Sequence, residues 1–264
     1  MKLSIGGIFS TAWQTMRVHW RDYAVIAALP VAVNVAIGAI HASLAGEVAT
    51  PENIERVLVA QLLMMPLAFI SLLLSASMCI SIVRIMNGLE ARPVFFRTDF
   101  KRQLWVAWTL IKMVLYTIWP LFLAMIAAQF ITGAAGTLGL FAGLPVLIGV
   151  FIWRGFVFLR ITIAVPANCC DENLKLAEAY QQTQGRTWPI FVLLFLVPFA
   201  ITSAIVLVQL PFVWSYLQAL QPPSFWSLLP FNLLGWVVSF FYNTLLAEVY
   251  RVMRAGGAEV GASA

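Results

Sequence analysis

"MVLYTIWPLFLAMIAAQFITGAAGTLGLFAGLPVLIGVFIW", residues 113–153, is a run of 41 residues without an Asp, Glu, Lys or Arg. As a straight α-helix, at about 1.5 Å per residue, it would reach roughly 60 Å. The hydrocarbon core of a bilayer is about 30 Å thick. The run is therefore too long for one crossing and suits two, provided the chain reverses inside it. "TGAAGT", residues 132–137, supplies small and turn-favouring residues for that reversal. Two spans follow, at about 104–132 and 138–160.

The same test extends outward. Two charge-free runs, residues 23–46 and 57–83, hold 24 and 27 residues, one crossing each. Residues 187–247 form a run of 61 that breaks at "LQPPS", residues 220–224, and again suits two crossings. The expected spans are thus 23–44, 57–83, 104–132, 138–160, 189–219 and 226–250. Composition agrees: 62% of the 264 residues are hydrophobic and 10% charged, against about 25% charged in a soluble domain. Interior prolines at 30, 66, 120, 145, 198, 211 and 230 are tolerated in membrane helices as kinks.

Orientation follows from Lys and Arg in the connections. With both termini cytoplasmic, thirteen of the sixteen basic residues fall inside and Arg56 alone falls outside, while Lys112 and Arg154 lie within or beside spans. A third crossing in the last run would carry Arg251 and Arg254 outside, against that bias. The net charge of +5 reads as an orientation signal spread over the inside segments, with no polybasic tract for nucleic acid. "HASLAG", residues 41–46, offers small residues after the first run, but about twenty polar and amphipathic residues precede it, so an uncleaved first span is expected.

Residues 1–22 place Ile5, Ile8, Phe9, Ala12, Trp13, Met16 and Trp20 on one helical face, as in an interfacial helix with its Trp rings among headgroups. "LKLAEAYQQTQGRTWPIFVLLFLVPF", residues 174–199, repeats the order of polar helix, aromatic residue and apolar span. "AWQ" at 12–14 answers "AYQ" at 179–181, and Pro30 answers Pro198. "FFRTDFKRQLWVAW", residues 95–108, is again polar and then apolar. The expectation is one all-α polytopic domain: six transmembrane helices as three helical hairpins, each preceded by a cytoplasmic-side interfacial helix. In the third unit Gly185 loosens the junction, while Arg186 and Trp188, like Trp13 and Trp20 in the first, anchor the chain at the interface.

The pattern Tyr180-x-x-Thr183-x-Gly185-x-x-Trp188, leading into an apolar span, resembles a segment of the membrane domain associated with bacterial glycerophosphoryl diester phosphodiesterases. Uncharacterised six-span inner-membrane proteins share that layout, with a helix before the first span and a short basic tail. The resemblance implies an inner-membrane module. It supplies no catalytic residues, because the polar stretches here leave no room for the soluble phosphodiesterase barrel.

No acid, base and nucleophile assemble in the sequence, and no zinc-protease helix, phosphate loop or nucleophile elbow is present. Cys79 falls in a span and Cys169 and Cys170 in a connection, none placed for a structural disulfide. His19 and His41 fall on opposite sides, so neither metal nor cofactor is expected. The cations nearest the hydrocarbon are Lys112, Arg154 and Arg160, with no acid deep in any span to neutralise them. They could form one pocket for an anionic lipid, or sit at the interface with Lys112 snorkelling to it. Asn34, Gln61, Gln129, Gln209, Asn232 and Asn243 could line a path or bond helix to helix. The expected function is a non-catalytic, membrane-organising or lipid-associated module, with lipids and a membrane protein as partners. The alternative is a small carrier or exporter for a lipid-like or amphipathic substrate.

Overall fold

The computed structural model describes residues 3–45, 54–89, 100–218 and 225–262. Among them the chain is helical with no strand, and six segments are long and apolar enough to cross a membrane. Helix α1 (Ile5–Val18) starts at Ser4, whose hydroxyl accepts from the Gly7 N–H at 3.3 Å. His19 interrupts the helix before α2 (Trp20–Ala45), so α1 is separate from the first span, as expected of an entry helix. Ile8 and Ala12 are buried, while Trp13 and Trp20 remain 54% and 59% exposed. The apolar face packs on protein, and the indoles stay on the outside.

Helices α2 and α3 (Ile54–Met86) form the first hairpin. Tyr23 and Ile26 cluster with Met78 and Ile82, and one hydrogen bond, from the Ser71 hydroxyl to Asn34 Oδ1, links the helices farther along. Rising numbers on one helix meet falling numbers on the other, so the pair is antiparallel.

Helix α4 (Phe100–Ile161) is 62 residues of helical backbone, with no non-helical residue at the expected "TGAAGT" break. It nevertheless doubles back. The Arg154 guanidinium lies 5.6 Å from the Tyr116 ring centroid, whereas a straight helix would separate the two residues by roughly 57 Å. The pairing of 116 with 154 centres on residue 135, inside the quoted stretch. Two antiparallel arms result, and the second hairpin stands. On the polar side of this unit, residues from Phe100 onward are continuous with the span, with no separate entry helix. The preceding residues 90–99 lie outside the described ones.

After α4 the chain folds into the bundle. All six residues of α5 (Ala164–Cys169) are buried, packed between α3, α4 and α9 (Phe225–Ala262). Here the Cys169 thiol lies in hydrogen-bonding contact with Cys79, and all three cysteines are free. Helix α6 (Leu176–Gln182) is the entry helix of the third unit, and its Glu178 carboxylate accepts from the Lys175 N–H at 3.2 Å. Gly185 then adopts φ +76°, a conformation that closes a specific turn rather than loosening a junction. Next come α7 (Thr187–Phe191), a π-helical segment (Val192–Leu196) and α8 (Val197–Gln218). Pro198 has no N–H to give the Leu194 carbonyl. The wider π turn, in which the Val197 N–H bonds Val192, stands immediately before it.

One end of the bundle holds the ionic contacts. Asp171, at φ +66°, accepts from Arg102 Nε at 2.6 Å and Nη2 at 2.7 Å, and from Arg84 at 3.4 Å. Glu172 pairs with Arg254 at 2.9 Å. These contacts gather the end of α3, the start of α4, the segment after its second arm and the end of α9, as six alternating crossings require. The largest buried cluster lies toward this end, joining Ile8, Ile80, Val106, Ile163, Ile190 and Leu245. Residues farther along the spans, such as Trp119, Phe151, Leu207 and Val237, face outward.

Candidate functional site

At the charged end a cleft of about 750 Å³ lies between the first arm of α4 and the segment that joins α5 to α6. Lys101, Arg102, Trp105, Thr109 and Lys112 line one wall; their spacing of one, three and four residues puts them along one side of the helix. Asn168, Asp171, Asn173, Leu174, Lys175 and Leu176 line the other. Four basic side chains thus face one carboxylate, and that carboxylate is already engaged by Arg102. Lys175 is 4.0 Å from Glu178 with its side chain 81% exposed, a contact too loose to hold it.

Lys112 is twelve residues into its span, yet its ammonium lies 5.4 Å from the Trp108 ring and 5.5 Å from the Trp105 ring. Side chains on a helix lean toward its N-terminus, so the lysine reaches back one to two turns toward the charged end. Two half-exposed indoles line that path, and their ring faces attract the cation. Asn168 completes the floor. It is buried, its Nδ2 donates to Thr109 Oγ1 at 3.1 Å, and its Oδ1 accepts no hydrogen bond. Thr109 already donates to the Trp105 carbonyl at 2.9 Å, which fixes the amide in this orientation. The walls therefore offer cations, and such a site suits an anion.

The three expected cations do not share this cleft. The Arg160 guanidinium stacks 3.6 Å from the Tyr180 ring centroid and donates to the Tyr180 carbonyl at 2.6 Å and to Thr183 Oγ1 at 3.1 Å. It fastens α4 to α6, through the same Tyr180 and Thr183 that carry the sequence pattern noted above. Arg154 lies between Tyr116 and Trp153, 4.5 Å from the latter ring, and its buried Nε has no acceptor. It lies ten residues, or about 15 Å of helix, from the start of the candidate span Leu144–Cys169. Only Lys112 of the three lines the cleft.

Among the anchors, Trp188 is 63% exposed and stacks on Phe191 at 5.5 Å, and Trp13 meets Phe241 edge-on at 6.0 Å. Arg186 sits at the N-cap of α7, half-buried. Of the in-span amides, Asn34 donates to the Pro30 carbonyl at 2.8 Å and accepts from Ser71, joining helix to helix. Gln129 is exposed and Gln209 half-buried, and the side chains of Gln61 and Asn232 lie outside the described residues. Asn243 borders a second cavity of about 680 Å³, lined by the spans themselves and open to one side.

Sequence reasoning missed the partners of Asp171 and the role of Asn168. Burial, and next the Glu172 carboxylate, push the Cys170 thiol beside this ionic cluster up to about 11. Among the described residues no three His, Cys, Asp or Glu side chains are placed to hold a metal ion. Comparison with family models, curated proteins and solved structures finds no match to this chain.

Proposed function

We propose that this chain is a non-catalytic integral module of the cytoplasmic membrane that holds an anionic lipid headgroup in the cleft between α4 and α6. The carrying observation is the grouping of Lys101, Arg102, Lys112 and Lys175 with two half-exposed indoles beside the end of a span. Basic pockets on the cytoplasmic side of transmembrane bundles take lipid headgroups, and Trp side chains mark that depth. The charge bias of the connections supports a cytoplasmic cleft and, with it, cytoplasmic termini. Affinity with the membrane domain of bacterial glycerophosphoryl diester phosphodiesterases remains part of this proposal, resting on Tyr180, Thr183, Gly185 and Trp188. We assign no catalytic step: Asp171, Glu172 and Glu248 are each held by an arginine.

A carrier is the second reading, and the cavity beside Asn243 is the observation in its favour. The module is preferred because the Thr162, Ser239 and Asn243 donors of that cavity are turned onto their own helix carbonyls at 2.7, 3.1 and 2.8 Å. The test is a thermal melt of the purified chain in uncharged detergent. Added phosphatidylglycerol should raise Tm, by linkage to a site present only in the fold, and high salt should diminish the effect. Phosphatidylcholine should do little. Equal stabilisation by both lipids would overturn the headgroup reading.

A further inference from the structure

The second cavity differs from the cleft in chemistry. Its lining comes from α3, both arms of α4, α5, α8 and α9, and every lining residue falls within a candidate span. Met78, Met113, Phe158, Trp236 and Leu246 make the wall largely apolar. Its Thr162, Ser239 and Asn243 donors bond carbonyls of their own helices, and it holds no charged side chain to receive an anion. The space and the cleft share no lining residue, so the two are separate sites.

An apolar cavity of about 680 Å³ at this depth is within the size range of ligand pockets, and water gains little by entering such a space. The bilayer is the phase in contact with it. Gly235, on α9 at its rim, is exposed, and a Cβ there would meet nothing within 4 Å. Pro198, on α8, is the lining residue contributed by that helix. The rim thus has a gap where a side chain is missing, next to the lipid-facing surface of α8 and α9.

We infer that this open apolar groove among the spans is a binding site for one long hydrocarbon chain, which enters from the bilayer past Gly235. The chain is the acyl chain of a membrane glycerolipid or that of a free fatty acid, and the chemistry of the site is the same for both. The site does not depend on the cationic cleft, because an uncharged chain is its occupant.

The test uses the full chain in nanodiscs of phosphatidylcholine doped with one of three probes, each with a diazirine near the end of its chain: phosphatidylcholine, phosphatidylglycerol or a free fatty acid. After irradiation, adducts are mapped by peptide mass spectrometry. Adducts at Met78 and Met113, which are 3% and 1% exposed, are expected alongside those at the lipid-facing Phe199 and Leu207. Equal yields from both phospholipids assign the chain to bilayer lipid; buried adducts from the fatty acid alone assign it to the free acid. Gly235→Trp should lower the buried adducts several-fold and leave those at Phe199 and Leu207 unchanged. Wild-type adducts confined to Phe199, Leu207 and other outward residues with all three probes would overturn the inference, whatever Gly235→Trp does to folding. Undiminished buried adducts in folded Gly235→Trp would overturn the entry route.

Discussion

Removing the cation at position 251 should damage this protein more than neutralising the acid it holds. Glu248 on α9 has a side chain only 3% exposed, and Arg251 donates to both of its oxygens at 2.7 Å. The arginine itself is 51% exposed. Glu248→Gln keeps an acceptor for Arg251 and leaves a guanidinium that can turn to water, so its cost should be about 1 kcal/mol, one ordinary hydrogen bond. Arg251→Leu strands a buried carboxylate, for which a penalty of about 3–5 kcal/mol is typical. The exposed position of Arg251 lets some solvent in, so about 3 kcal/mol is the better figure. In the double variant Glu248→Gln with Arg251→Leu the charge is gone, and the loss should fall back by about 2 kcal/mol, the signature of a coupled pair. Stability would be measured by SDS titration in mixed micelles, with exposure of the buried Cys79 and Cys169 thiols as the readout. If Arg251→Leu cost no more than Glu248→Gln, Glu248 would not be held as this reasoning requires.

Gly185→Ala should destabilise by about 1 kcal/mol because φ +76° is strained for any residue with a Cβ; Gly6→Ala, in α1 with open space around it, should be neutral or stabilising by up to about 1 kcal/mol in the same titration. Cys170, pushed up to about 11 from 9.0, should alkylate at pH 8 roughly 100-fold more slowly than an ordinary thiol and accelerate about tenfold per pH unit. Glu172→Gln should quicken that reaction at fixed pH by removing a neighbouring negative charge. Cysteines at 116 and 154 in a cysteine-free background should be joined by a short bis-maleimide, which a straight α4 would forbid. Cysteines at 52, 136 and 222 should label from outside the cell and those at 88 and 173 from inside only. Outside labelling at 173 would refute the six-span arrangement.

Much of this architecture is visible in the sequence because a bilayer imposes lengths. Charge-free runs of 24, 27, 41 and 61 residues leave few ways to cross, and the pairing of Tyr116 with Arg154 recovers the reversal at 132–137. The burial of α5 is not visible. "AVPANC" has the composition of a span end, and nothing local says that it turns inward against Cys79. The ionic cluster is hidden for another reason: Arg102 and Arg84 lie 69 and 87 residues from Asp171, and only the fold brings them together. Lys112 is a middle case. Its depth marks it as a residue of interest, and Trp108 and Trp105, four and seven positions earlier, sit where a helical side chain leans. That leaning separates it from Arg154, which occupies its own aromatic slot deeper in the same hairpin.

Retention of lipid through purification, read by native mass spectrometry from mild detergent, tests the headgroup cleft most directly. Wild type, Lys112→Gln and Arg154→Gln would be compared after exposure to an equal mixture of phosphatidylglycerol and phosphatidylcholine. The cleft predicts that wild type keeps phosphatidylglycerol preferentially, that Lys112→Gln loses that preference several-fold, and that Arg154→Gln keeps it. Unchanged preference in folded Lys112→Gln, or a loss in Arg154→Gln as large as in Lys112→Gln, would contradict it.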